Sequence, residues 1–385
     1  MGVILDELNG DPHRLLARLR VQAPVSWLPE LGGWLVTGYA AATAVLLDPA
    51  AFTVDDPRFT TARVTGPSML SLDGAEHTRH RAPFAHGLRS AETTRRLADF
   101  TRAEANRLVD AIKPAGAAEL RQAFAGPLAA AVMAEALGLA AVGIAPATVL
   151  AWYREIVAAV AELTPSAPAG RAAPVASFGE LAASLSAAIA SGRAPLLSRA
   201  ARGGSLTADE IVSNAAVALF GGIETTEGMI CNAVLCLGHQ PGALRIVAED
   251  LDRVPGAVEE SLRMEPAAAV VDRYATREVL LAGVAIARRD LVRVSITAAN
   301  RDPAVFADPD RFDPLRPEAA RHLAFARGPH FCIGAHLARL ETVTAVSTLL
   351  SRLPRLRLDP EHPAPVRGLV FRKPAELRVL WDPVS

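Results

Sequence analysis

Apolar residues recur at helical spacing along most of the chain and alternate with polar ones only in short runs. Helix-period patterns cover residues 11–20, 40–47, much of 93–138, 147–163, 178–191 and 334–350. Alternation predicts strands at 24–27 and 34–37, with Gly32 and Gly33 between them as a hairpin turn. Further short strands are predicted at 279–281, 284–286, 291–295 and within 358–381, and 266–272 reads as extended. Residues 55–69 and 164–177 carry Pro and Gly and read as loops. The pattern is mainly helical, with small sheet-rich parts at about 24–60, 266–296 and 358–381.

The longest helical pattern begins at Thr207, with Glu210 three residues on as a capping box. It runs to Leu237, where Gly238 and Pro241 stop it. About 30 residues make roughly 45 Å of helix. Apolar residues on nearly every face predict a central helix buried on most sides. Its middle breaks the rules of a good helix. Gly221 and Gly222 each weaken it by about 1 kcal/mol. Thr225 lies four residues after Gly221, so its hydroxyl can reach that carbonyl and open the ladder. Small residues, a hydroxyl and the acid Glu224 make a notch wide enough for water or a small ligand. Tight helix packing through the glycines is the other reading.

Composition narrows the choices. A length of 385 residues would allow two domains. A net charge of −1 gives no basis for a nucleic-acid surface. Glu224, Thr225, Thr226 and Glu227 interrupt the one long apolar run, so no membrane span is expected. The start, MGVILDELNGDPH, lacks a basic region followed by a long apolar one, so neither a signal peptide nor an anchor is expected. The expectation is a cytoplasmic protein. Three cysteines give no disulfide framework. Cys231 and Cys236 fall inside the long helix and read as core packing.

Cys332 is different. It sits in FARGPHFCIGAHLARLE, residues 325–341, at or just before a helix N-terminus. Backbone N–H groups there would stabilise a thiolate, although a buried core cysteine would fit the local composition as well.

The loop residues Phe325, Gly328, His330, Cys332 and Gly334 resemble the haem-binding loop of the cytochrome P450 superfamily. Ala326 departs from it, standing where the family usually has Gly. An alanine there asks the turn to avoid a positive φ. Three more signatures follow in family order: His77 with Arg81, Gly221–Gly222 with Glu224 and Thr225, and Glu260 with Arg263. The resemblance covers nearly the whole chain. It implies one catalytic domain over 1–385, with a large helical part, a smaller β-containing part and the long central helix.

The resemblance also implies a haem b cofactor with Cys332 as axial metal ligand in the Phe325–Gly334 loop. His77, Arg81, Arg273 and His330 would hold the propionates. Glu224 and Thr225 would serve oxygen activation and proton supply. Glu260 and Arg263 would form a buried structural pair bonded to the loop just before the cysteine. Phe59, Val64, Met69, Ala218, Gly222, Ala268, Val270, Leu369 and Val370 would line the substrate pocket, with 164–177 in a roof that opens.

The activity implied is insertion of one atom of O2 into a C–H or double bond of a medium-sized, mainly apolar substrate. A natural-product intermediate is the expected kind. Oxidative coupling or desaturation would use the same machinery. A peroxygenase or a haem sensor are further readings, against which the acid–threonine pair and the notch argue. The chain has no flavin or nicotinamide fingerprint and no iron–sulfur cysteine set. Ferredoxin and ferredoxin reductase are therefore the expected donors, with Arg327 and Arg339 meeting an acidic surface. A monomer is expected.

Overall fold

One helix, Ala208–Gly238, runs 31 residues through the middle of the molecule. It begins with the expected capping box: Thr207 accepts from the Glu210 N–H, and Glu210 accepts from the Thr207 N–H at 2.8 Å. The structure is a computed structural model that describes residues 3–88, 91–162 and 176–382. The roof loop expected at 164–177 lies, except for its last two residues, outside them.

The central helix packs against Gly126–Ala136, Val254–Met264 and Ala335–Arg352. Gly126–Ala136 is rich in alanine and almost wholly buried, so its backbone can approach closely. Two hydrophobic clusters meet along the central helix. Ile211 to Ile223 belong to one, with Val149, Trp152, Leu181 and Phe84. Met229 to Leu237 belong to the other, with Leu262, Val346 and Trp381. The polar residues Glu224 to Glu227 fall at the junction between the two cores, and Glu224, Thr226 and Glu227 are buried there. Polar side chains are tolerated at this depth only where partners satisfy them.

The main sheet has five strands, in the order Val25–Leu28, Gly33–Val36, Leu291–Ser295, Val270–Ala275, Phe52–Thr53. Gly33–Val36 pairs with Leu291–Ser295 in parallel, and the other neighbours are antiparallel. The hairpin turn differs from the expected one. A 3-10 turn, Pro29–Leu31, precedes Gly32 at φ 59, and Gly33 is already strand. The 55–69 stretch is also not all loop, since Thr60–Thr65 forms a short helix ended by Gly66 at φ 84. The architecture is mainly α with a smaller β part, as expected, and the strands near the C-terminus fall within 357–380.

Candidate active site

The notch is visible as a stripe. Between residues 214 and 235 of the central helix, only Ala218, Gly221, Gly222 and Thr225 are incompletely buried. These positions are i, i+3, i+4 and i+7, so they share one face. The Thr225 hydroxyl donates to the Gly221 carbonyl at 2.6 Å, as its spacing predicts. A Cβ at Gly221 would meet nothing within 4 Å, whereas one at Gly222 would strike Met133. Gly221 therefore borders open space, and Gly222 admits a neighbouring helix.

Glu224 adjoins this stripe. Its carboxylate lies 2.9 Å from the ammonium of Lys373, which lies 2.9 Å from Glu227 as well. Arg121 bonds Glu227 from the other side. Sequence reading missed Lys373 and Arg121. Neither has a local signature, because both reach the acids only through tertiary packing.

Cys332 sits where the loop turns into Ala335–Arg352. Its N–H donates to the Phe325 carbonyl at 2.9 Å, closing the loop. Burial pushes the thiol up, while the Gly334 N–H, Arg81 and Arg339 pull the other way. A Cβ at Gly334 would meet nothing within 4 Å. Ala326 adopts φ 56, which corrects the expectation that alanine would keep the turn out of the left-handed region. The loop keeps its shape and the alanine carries the strain. Cys231 and Cys236 are core residues, and burial pushes Cys236 up to about 12.

The four residues expected at the propionates are two histidines and two arginines, of which only the arginines carry a fixed charge. His77 is buried, its Nε2 has no hydrogen-bond partner, and its ring centroid lies 4.3 Å from that of His330. Burial, then His330 and Arg81, drive His77 down to about 4. His330 bonds Asp73 at 2.8 Å, so one ring nitrogen is already engaged. Asp73 also accepts from Thr53 and from the Val54 N–H. Burial works against the Asp73 charge, but these bonds outweigh it and hold it below the usual range. Arg273 is buried, and its one hydrogen bond among the described residues goes to the Asp272 carbonyl at 2.7 Å. Arg81 donates to the Phe331 carbonyl.

A haem fits these residues. Its propionates would give the buried His77 Nε2 the hydrogen-bond partner it lacks and would lie beside the guanidinium of Arg273, whose one hydrogen bond among the described residues goes to a backbone carbonyl. Its iron would turn a thiol raised by burial into a bound thiolate. Among the described residues no cluster of three or more His, Cys, Asp or Glu could hold a metal ion.

Glu260 and Arg263 are both fully buried and bond bidentately at 2.8 and 2.9 Å. Their outer bonds correct one expectation. Arg263 donates to the carbonyls of Asn300, Pro309 and Arg311, and Glu260 accepts from Arg316 and the Asp313 N–H. The pair clamps the coil at 300–316 rather than the turn beside the cysteine.

The pocket residues are spread. Phe59 lines a cavity of about 650 Å³ with Ala62, Phe178 and Val212. Val64 and Met69 are buried in the adjoining cluster. Ala268 bridges to Phe371, and Val270 is a buried strand residue. Leu369 packs instead against the N-terminal leucines, and Val370 is exposed. From this C-terminal hairpin it is Phe371, 5.6 Å from the Phe220 ring centroid, and Lys373 that reach the central helix. Arg339, expected to be free for a donor, pairs with Glu259 and covers the Phe325 ring at 4.4 Å. Arg327 donates to the Tyr39 hydroxyl at 3.1 Å.

A cysteine at the start of Ala335–Arg352, a notch in the central helix, and His77 and His330 with Arg81 and Arg273 are the parts expected of a haem-thiolate enzyme. Comparison with known proteins makes this specific. Residues 193–374 match the sequence profile of the family described as cytochrome P450. The chain is 36% identical to the cytochrome P450 monooxygenase PikC of Streptomyces venezuelae, over 93% of this chain and 88% of that protein. It is 33% identical to 6-deoxyerythronolide B hydroxylase of Saccharopolyspora erythraea, over 98% of both. The crystal structure of HmtN, a post-tailoring hydroxylase involved in himastatin biosynthesis, superposes with a TM-score of 0.83 at 30% identity, covering 97% of this chain and 98% of that one. The chain belongs to the cytochrome P450 family. It is a monooxygenase that carries haem b and acts on O2 and an apolar small molecule. No helix among the described residues is long and apolar enough to cross a membrane.

Proposed function

We propose that the chain hydroxylates a medium-sized, mainly apolar natural product, with Cys332 as the residue whose thiolate would hold the haem iron. The stripe Ala218–Gly221–Gly222–Thr225 carries this reading, because it is the one opening on an otherwise buried stretch of helix. When bound, haem supplies the activation of O2 and the transfer of one oxygen atom. The protein supplies the surroundings. Thr225 donates its hydroxyl proton to Gly221, so it offers the notch an oxygen acceptor that orients a water's proton. Glu224, beside it, exchanges protons with solvent. His77, Arg81, Arg273 and His330 neutralise and orient the propionates. The 650 Å³ cavity beside the first turns of the central helix has the size of a small-molecule site, with Phe59, Phe178 and Val212 on its walls beside Asp56, Arg63 and Asp209. The relatives named for hydroxylating 6-deoxyerythronolide B and for himastatin biosynthesis favour a natural-product substrate. Electrons come from a ferredoxin and its reductase, since the chain has no redox motif of its own.

The test is the reduced carbon-monoxide difference spectrum of the purified protein beside Cys332→Ser. A red-shifted band of thiolate ligation, lost in the variant, is expected. The same band in both proteins would remove Cys332 from the role. 6-Deoxyerythronolide B and related apolar products are then screened for the spin-state shift of a displaced water. No shift across such a panel would overturn the substrate class.

A further inference from the structure

The C-terminal hairpin pairs Val366–Arg367 with Lys373–Pro374 and lies along the central helix. Phe371 and Lys373 are two residues apart, so they point the same way in extended chain. They meet Phe220, and then Glu224 and Glu227, at positions i, i+4 and i+7 of one helix face. The seat is built closely. A Cβ at Gly228 would come 2.9 Å from that of Ala267, so the glycine admits the 266–270 segment that bonds Arg372, and it would touch the Lys373 Cβ at 3.6 Å. Asn232 clamps the Arg372 carbonyl at 3.0 Å. On the far side, a π-helical turn, Arg121–Ala125, carries Arg121 to Glu227 and to the Ala375 carbonyl at 2.7 Å. π-turns recur at functional sites because they re-aim a side chain without ending the helix.

The four side chains form a balanced row: Glu224, Lys373, Glu227, Arg121. Its inner end adjoins Thr225, and its outer end is the half-buried Arg121, whose side chain is 27% exposed. We propose that Lys373 is a positioning residue for proton supply, holding Glu224 at the inner end of a polar row that reaches solvent at Arg121. Its ammonium bridges both acids at the same distance. Glu227, kept in place by Arg121, therefore retains the lysine whenever Glu224 gives up its charge to a proton. The proposal rests on the reading of Glu224 given above.

The test uses the haem-loaded protein and the variants Lys373→Met, Lys373→Arg and Glu224→Gln. The Glu224 carboxylate band is assigned in the infrared by its loss in Glu224→Gln. It should move in Lys373→Met and return towards its place in Lys373→Arg. NADH oxidation through a bacterial 2Fe–2S ferredoxin and its NADH-dependent reductase is timed in H2O and D2O. Lys373→Met should slow it about tenfold, part of the roughly 10²–10⁴ a positioned acid or base contributes, with a larger solvent isotope effect. Lys373→Arg should stay within about threefold of the original, since it keeps the charge. The melting temperature shows whether the Met variant keeps its fold. An unmoved band and isotope effect in Lys373→Met overturn the proposal. So does equal loss in the Met and Arg variants with no isotope effect, which marks a merely structural lysine. If Glu224→Gln itself behaves as the original protein, the role of Glu224 falls; if it is slow while Lys373→Met is not, only the lysine's role falls.

Discussion

The rings of His77 and His330 face each other 4.3 Å apart between centroids, yet only His330 has a carboxylate, Asp73. The His77 charge is therefore opposed from several sides, by burial, His330 and Arg81. It titrates near 4 rather than its usual 6.5. Between those two values the unfolded chain binds more protons than the folded one, so stability falls as pH falls. Haem-depleted protein should hold full stability above pH 6.5 and lose it towards pH 4. His77→Gln should flatten the slope in melting curves taken across that window. Haem loading should flatten it too, because propionates restore the proton. A slope equally steep in His77→Gln would refute the assignment.

Thr225→Ala removes the hydroxyl that bonds Gly221 but no packing contact of comparable size. Turnover with ferredoxin should become uncoupled, with peroxide replacing most of the hydroxylated product and the rate falling by roughly 10²-fold, as for loss of a proton-handling group. Product and peroxide counted per NADH decide it. Full coupling in the variant would place oxygen activation elsewhere.

Glu260→Ala strands two buried guanidiniums, Arg263 and Arg316. Breaking one side of a buried pair typically costs about 3–5 kcal/mol. Urea unfolding should show a loss of that size together with weakened haem retention, because the coil at 300–316 leads into the cysteine loop. A loss below about 1 kcal/mol would be that of an exposed pair.

Ala326→Gly should stabilise the loop. At φ 56 an alanine carries left-handed strain of about 1 kcal/mol, and glycine does not. Glycine's extra freedom in the unfolded chain offsets part of that gain. A net gain of about 0.5 kcal/mol in chemical unfolding is expected, and a net loss would mean that the methyl group packs usefully.

Much of this was legible in the sequence where the governing contact is local. The capping box of Thr207 and Glu210, and the bond from Thr225 to Gly221, depend on spacings of three and four residues. Cysteine, glycines and histidine in one short loop likewise pointed to the family that the comparisons show. Lys373 did not, since it lies 149 residues beyond Glu224 and only strand alternation aims it there. The short helix Thr60–Thr65 was hidden by Pro57, Gly66 and Pro67, which punctuate either side without forbidding one and a half turns between them. Leu369 was assigned to the pocket from its place in the hairpin, but Gly368 at φ 114 and the bend at 369–370 break the alternation there, turning Leu369 to the N-terminal leucines and leaving Phe371 on the inner side.

The pairing of Arg339 with Glu259 changes what an approaching electron donor meets. Burial opposes the Glu259 charge, but His322, 3.2 Å away, and hydrogen bonds from Arg339 hold it ionised, down to about 2. At neutral pH this spot on the cysteine side is therefore a dipole, with Phe325 beneath it, and not a lone cation. The field of such a pair fades faster with distance than that of a single charge, and at physiological salt the screening length is about 8 Å. Counting arginines overstates the attraction here. Recognition at this spot rests on shape and short-range bonds, and added salt should leave its share of the encounter rate nearly unchanged.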